Sequence, residues 1–227
     1  MTPTRRFPAL GVVALIGYDT VVRPWMRCWG ATEAERVKRL PGDEIVEDVM
    51  THYTRAVTIG APPTAVWPWL VQIGDRRAGF YSYDWIERFV FPGMVHYVDR
   101  THSATRIHPE LQDVRLGDRI NTGSVGRIVL GSPVTVLEPN RTFVMGTWAF
   151  ILEPLSGDRT RLLVRERDTG WLRLLASKRS GLLRAMAGLI DYIVAEPLHF
   201  AMVRRMMLGL KQRAETSYAA ASVTERG

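Results

Sequence analysis

From Tyr53 to Ile59 the chain alternates (Tyr53, Thr54, Arg55, Ala56, Val57, Thr58, Ile59) and favours β-prone residues. A period of two predicts a strand, which Gly60-Ala61-Pro62-Pro63 ends in a turn. Ala65 to Val71 then reads as a short apolar helix, with Pro63 suited to its first turn, where the missing N–H costs nothing. Tyr83 to Phe91 reads as a second short helix, stopped by Pro92-Gly93. Residues 94–117 show little periodicity and predict a segment that wraps the surface or rims a cavity. Five strands are predicted at 118–121, 125–130, 133–138, 142–153 and 160–168. Ser156-Gly157-Asp158 joins the last two as a hairpin.

The two ends of the chain are more apolar. Residues 7–18 form a mostly apolar run of twelve behind Arg5 and Arg6, ended by Asp19. A bilayer span needs roughly 20 apolar residues, so this run is too short to cross alone. A basic start before a short apolar core is also the layout of a secretory signal, but no small-x-small cleavage site follows. Residues 32–39 predict a short helix, with Thr32 and Glu35 as a capping box. Leu182 to Ala195 is nearly all apolar, and Glu196-Pro197 is expected to open a second helix to about Ala219. Leu198, Met202, Met206, Gly209 and Leu210 share one stripe of that helix, placed to cover a curved sheet.

Four segments in order carry a family resemblance: "APPTAVWPWLVQIGD", "GFYSYDW", "TWAFILEPLSGDRTRLLVRER" and "EPLHFAMVRRMMLGLKQRAE". Over about residues 52–215 the chain resembles the SRPBCC (START/Bet v1-like) superfamily, in particular its polyketide cyclase/dehydrase-type branch. The resemblance implies an α+β helix-grip fold: a curved antiparallel sheet wrapped around a long C-terminal helix, with two short helices at one end. It divides the chain into an N-terminal extension (1–51), a helix-grip domain (52–219) and a tail (220–227). It also implies a cavity between sheet and helix for a small hydrophobic ligand such as a lipid, polyketide, isoprenoid or aromatic metabolite.

Composition narrows the classes. Hydrophobic residues at 46% against 23% charged exclude a disordered chain. Cys28 is the lone cysteine, so there is no intramolecular disulfide and no thiolate cluster, and a reducing cytoplasm fits. Residues 156–213 carry 12 Arg or Lys against 5 Asp or Glu, which accounts for the formal net charge of +7. No helix-turn-helix, zinc-finger or RNA-binding motif accompanies this charge, so nucleic acid is not expected as a partner. Peripheral membrane contact through 7–18 and 173–195 is the partner that basic charge beside apolar runs suggests.

Catalytic motifs are missing: there is no Gly-x-Ser-x-Gly elbow, Walker loop or dinucleotide loop. The five histidines (His52, His96, His102, His108, His199) have no metal-ligand spacing, and neither metal nor cofactor is expected. Aromatic residues crowd the short helices and a late strand, so Trp67, Tyr81, Tyr83, Trp85 and Trp148 are candidate cavity or rim residues, joined by Met202 on the closing helix. Along 160–168, Leu163, Arg165 and Arg167 share one face and Leu162, Val164 and Glu166 the other. Whichever face turns inward offers Arg165 to an anionic head group or Glu166 as a base or acceptor. Asp84 and Glu87 on the second short helix are further candidates for rim acids, with simple surface charges as the alternative. A cyclase or dehydratase is the alternative function, with Glu166 or His102 as base and Arg165 or Tyr81 holding an enolate.

Overall fold

The computed structural model describes residues 13–45, 51–168 and 181–224. The strands are β1 (Thr51–Ile59), β2 (Arg119–Val125), β3 (Ile128–Glu138), β4 (Thr142–Met145), β5 (Trp148–Leu155) and β6 (Arg159–Asp168). They form one antiparallel sheet in the order β1-β6-β5-β4-β3-β2. Helices α1 (Arg23–Arg27) and α2 (Glu33–Val37) precede β1, and α3 (Pro63–Val71) and α4 (Asp84–Phe89) follow it. The chain closes with α5 (Gly181–Ile190) and α6 (Glu196–Thr224).

Both faces of the sheet are covered. On the inner face Ile59, Phe143, Phe150, Leu162 and Val164 pack with α3 residues Val66, Trp69 and Leu70 and α6 residues Val203, Met206, Met207 and Leu210. The outer face carries a smaller cluster, Ala56, Val144, Ala149, Ile151 and Leu163, under Leu40. α6 approaches so closely at Gly209 that a Cβ there would lie 2.3 Å from the Tyr81 carbonyl oxygen. Tyr81 is itself in the left-handed region (φ 57°) and buried.

Two local departures from the sequence reading have plain causes. The run 142–153 is two strands, because Gly146 (φ 55°) and Thr147 make a two-residue turn that pairs Met145 with Trp148. Gly at the first central position is what a two-residue hairpin of this hand requires. Glu196-Pro197 does begin α6, but without a break in the chain's helical course: α5 passes into it and it runs on to Thr224. A π-helical turn, Asp191–Ala195, ends two residues before Pro197, and another, Tyr18–Val22, ends two before Pro24. A proline ring clashes with the carbonyl four residues back, and a widened turn moves that carbonyl aside. The predicted tail is therefore helical as far as Thr224, while residues 7–12 and 173–180 lie outside the described residues.

Candidate functional site at the end of the inner face

The register of β1, β6 and β5 sets Tyr53 and Trp148 beside Glu166. Because Leu162 and Val164 face the core, Glu166 faces the same way, and Arg165 faces outward. Glu166 thus lies with Arg55 at the polar end of the inner face, and both are buried. Its Oε2 accepts from Arg55 Nη1 at 3.1 Å and meets His199 Nε2 of α6 at 2.8 Å. Burial opposes ionisation of Glu166, but His199 and Arg55 outweigh it and hold the carboxyl below its ordinary value. Trp148 meets the His199 ring edge-on at 5.9 Å, and Arg55 lies over the Tyr53 and Phe200 rings at 5.1 and 5.5 Å. Arg55 also donates from Nε to the Met26 carbonyl, 2.9 Å away.

Two atoms in this cluster are buried without a hydrogen-bond partner: Glu166 Oε1 and Arg55 Nη2. Buried polar atoms are nearly always paired, so an unpaired acceptor and an unpaired donor in one ion pair favour a polar guest. The His199 side chain is 44% exposed, so the imidazole is the part of the cluster that reaches solvent. From His199 the inner stripe of α6 continues through Val203 and Met206 to Leu210, turning apolar within one turn. Between sheet and α6, the space lined by Leu70, Tyr81, Phe150, Leu162, Met206 and Leu210 leaves no room for a water molecule. The cavity expected there is closed by interdigitating side chains.

The remaining sequence candidates are dispersed. Arg165 lies on the opposite face from α6 and binds the N-terminal segment, donating to Asp43 and to the carbonyls of Glu35, Arg36 and Lys38. Trp67 is half-buried and edge-on to Phe143 at 6.3 Å. Tyr81 is internal; its hydroxyl donates to the Trp69 carbonyl and accepts from Gln72 Nε2. Its one hydroxyl hydrogen is committed to the Trp69 carbonyl inside the core, so it is not placed to hold an enolate. Tyr83 and the exposed Trp85 sit together at α4, under Arg205. His102 is exposed and its Nδ1 lies 3.0 Å from the Ser103 carbonyl oxygen, while Met202 receives the Ser82 hydroxyl on its own carbonyl. Trp148 and Glu166 are the two candidates the fold brings together. It adds His199, Arg55 and Tyr53, which the sequence did not single out; the period from His199 into the Val203 and Met206 stripe was the signal for the histidine. Among the described residues no cluster of His, Cys, Asp or Glu is arranged to hold a metal ion.

A single antiparallel sheet gripping a long C-terminal helix, with two short helices after the first strand, makes this an α+β protein of helix-grip architecture. No family model matches the chain, and no curated protein sequence does. Among solved structures it is similar to a polyketide-cyclase-like protein from Corynebacterium glutamicum, at 15% identity and a TM-score of 0.44, over 76% of this chain and 95% of that one. It is also similar to a conserved protein of unknown function from Enterococcus faecalis, at 13% identity and a TM-score of 0.34, over 73% and 89% of the two chains. A protein from Mesorhizobium loti matches at 17% identity and a TM-score of 0.33, over 72% and 97%.

Proposed function

We propose that the protein binds a small amphiphile, its polar head at His199 and Glu166 and its apolar part directed between the sheet and α6. The observation that carries this reading is the buried Glu166, held in its charged form with one oxygen unpaired, beside the partly exposed His199 at the end of the inner face. Entry requires core side chains to yield, and Met145, Met206 and Met207 are the flexible ones available. The test is native mass spectrometry of freshly purified protein with solvent extraction, followed by calorimetric titration with decanoate and decanol below their micellar concentrations. Binding of at least one, weakened about tenfold or more in His199→Ala, supports the reading. Equal affinity in parent and variant removes His199 from the site.

A second reading has its own support. An imidazole oriented by a buried carboxylate is suited to move a proton next to a carbonyl, as a cyclase or dehydratase must. His199 then replaces His102 as the base, with Glu166 positioning it. Turnover of a β-ketoacyl test substrate that disappears in His199→Ala and drops in Glu166→Gln would favour chemistry over binding alone.

A further inference from the structure

The N-terminal helical residues 13–27 and the first half of the C-terminal helix pair side by side, running in the same direction. Tyr18 meets Tyr192 edge-on at 5.1 Å and donates to its carbonyl at 2.7 Å. Tyr192 donates in turn to Asp19 at 3.1 Å. Arg23 and Arg27 both reach Glu196, at 2.8 and 2.7 Å, and Trp25 packs edge-on to Phe200. On the C-terminal partner the small residues Ala187, Gly188 and Ala195 occupy half-buried positions.

The polarity of this pair is inverted. Its tyrosines and ion pairs lie between the helices, while Leu15, Ile16, Val21, Leu182, Leu189 and Ile193 are 50–71% exposed. Small residues and polar side chains at a helix–helix seam, with apolar residues outside, is the arrangement that hydrocarbon surroundings favour. In water the same surface is a large apolar patch with no occupant. Gly181–Val223 is long and apolar enough to cross a membrane by length and composition, yet only 17% of its most apolar window is buried. The core helix of a soluble domain with this length and composition would be mostly buried.

Charge identifies the occupant. Residues 1–27 hold four arginines against one acid, and residues 169–196 three arginines and a lysine against two; even with Glu196 taken up by Arg23 and Arg27 the pair is net basic by five charges. We propose that the paired helices are a membrane-docking stalk that seats in one leaflet of an anionic bilayer. The stretch 181–195 is about 22 Å long as a helix, short of the ~30 Å hydrocarbon core, which fits seating in a leaflet rather than spanning. This inference does not depend on ligand binding at His199.

The test is flotation of the full chain with phosphatidylcholine vesicles, with and without phosphatidylglycerol. Flotation on anionic vesicles is expected, about fivefold weaker in Arg184→Gln. It should fall about tenfold or more when Leu15→Glu, Leu189→Glu and Ile193→Glu are combined; all three residues are exposed, so the melting temperature should hold. A spin label at Ile193→Cys in a Cys28→Ser background should become more accessible to oxygen than to a polar nickel relaxant once vesicles are added. No flotation on either vesicle, or equal flotation of the triple variant, overturns the proposal. It is overturned too if the parent sediments as a dimer, does not float, and becomes monomeric in the triple variant, because the patch is then an interface between copies.

Discussion

Arg165→Ala should cost stability rather than ligand affinity, and the structure sets the size of the loss. The guanidinium donates five bonds: to Thr54 Oγ1 at 3.0 Å, Asp43 Oδ2 at 2.7 Å, and the carbonyls of Lys38, Glu35 and Arg36 at 2.8, 3.0 and 2.9 Å. The three carbonyls belong to the C-terminal end of α2, where a helix has no partners of its own for them. Asp43 keeps Arg167 at 3.3 Å, so its charge is not left alone. Removing one partner of a buried ion pair costs about 3–5 kcal/mol, and hydrogen bonds to a charged group about 1.5–3 kcal/mol each. The site lies beneath a thin surface segment, so water will satisfy some carbonyls and the sum of five bonds overstates the loss. We expect about 3–5 kcal/mol, equivalent to roughly 6–20 °C in melting temperature for a chain of this size. Urea unfolding followed by circular dichroism measures it, and limited proteolysis should show cleavage near residues 28–45 first. Arg165→Lys keeps the charge but not the planar fork and should fall between parent and Ala. A loss below about 1 kcal/mol would refute the claim that this side chain fastens the N-terminal segment.

Three further outcomes follow from the same packing. Gly209→Ala should destabilise by about 1–3 kcal/mol in thermal unfolding, because its Cβ would strike the backbone of Tyr81; an unchanged melting temperature would show that α6 can shift there. Burial pushes the Glu87 carboxyl up to about 7, against the Tyr97 hydroxyl that favours its charged form. The folded state then holds the Glu87 proton more tightly than the unfolded chain, so this residue's contribution is greatest below about pH 4.5 and is lost as pH rises toward 7. The loss is about 3 kcal/mol at most, and the fall should flatten in Glu87→Gln. Arg55→Met should cost up to about 3–5 kcal/mol by leaving the buried Glu166 with His199 as its one remaining charge partner, and Arg55→Met with Glu166→Met should recover most of it. Additivity within about 0.5 kcal/mol across that double-mutant cycle would deny the coupling.

What the sequence disclosed depended on whether an element had a single solvated face. β1 was legible from its alternation and its Gly-Pro stop, and α2 from Thr32 and Glu35, whose reciprocal capping bonds are present. The direction of β6 was not, because both of its faces are buried: Leu162 and Val164 beneath α6, Leu163 and Arg165 beneath the N-terminal segment. With charge on both faces, polarity gave no sign of which was inner. The turn at Gly146-Thr147 was hidden because Met145 and Trp148, the residues it pairs, are both compatible with an unbroken strand. His199 was missed because the inner stripe was read one position off, through Leu198 and Met202 instead of His199 and Val203, and its partner lies 33 positions earlier on a strand whose facing was unresolved. Residues 182–195 read correctly as apolar helix. Their exposure was unreadable, since a helix apolar all round is ordinarily a buried one.

The candidate site and the stalk share their structural root, and Arg55 is the residue common to both. Its Nε holds the Met26 carbonyl of α1, while its Nη1 holds Glu166, which in turn meets His199. On the other side, Arg23 and Arg27 clamp Glu196, three residues before that histidine on the same helix. A buried ion cluster is a poor way to stabilise a fold, because apolar residues of equal volume usually do as well or better. Its geometry does something apolar packing would not: directional bonds tie α1, β1, β6 and the start of α6 to one another and so position the imidazole. If the stalk seats in a leaflet, the exposed His199, four residues beyond the apolar stretch 181–195, lies beside the membrane surface. An amphiphile could then pass from the lipid to Glu166 with its apolar part never exposed to bulk water. The two proposals fail separately, since vesicle flotation reads the stalk and monomeric decanoate reads His199. Only if both succeed does Arg55 become the link by which docking and ligand binding influence one another.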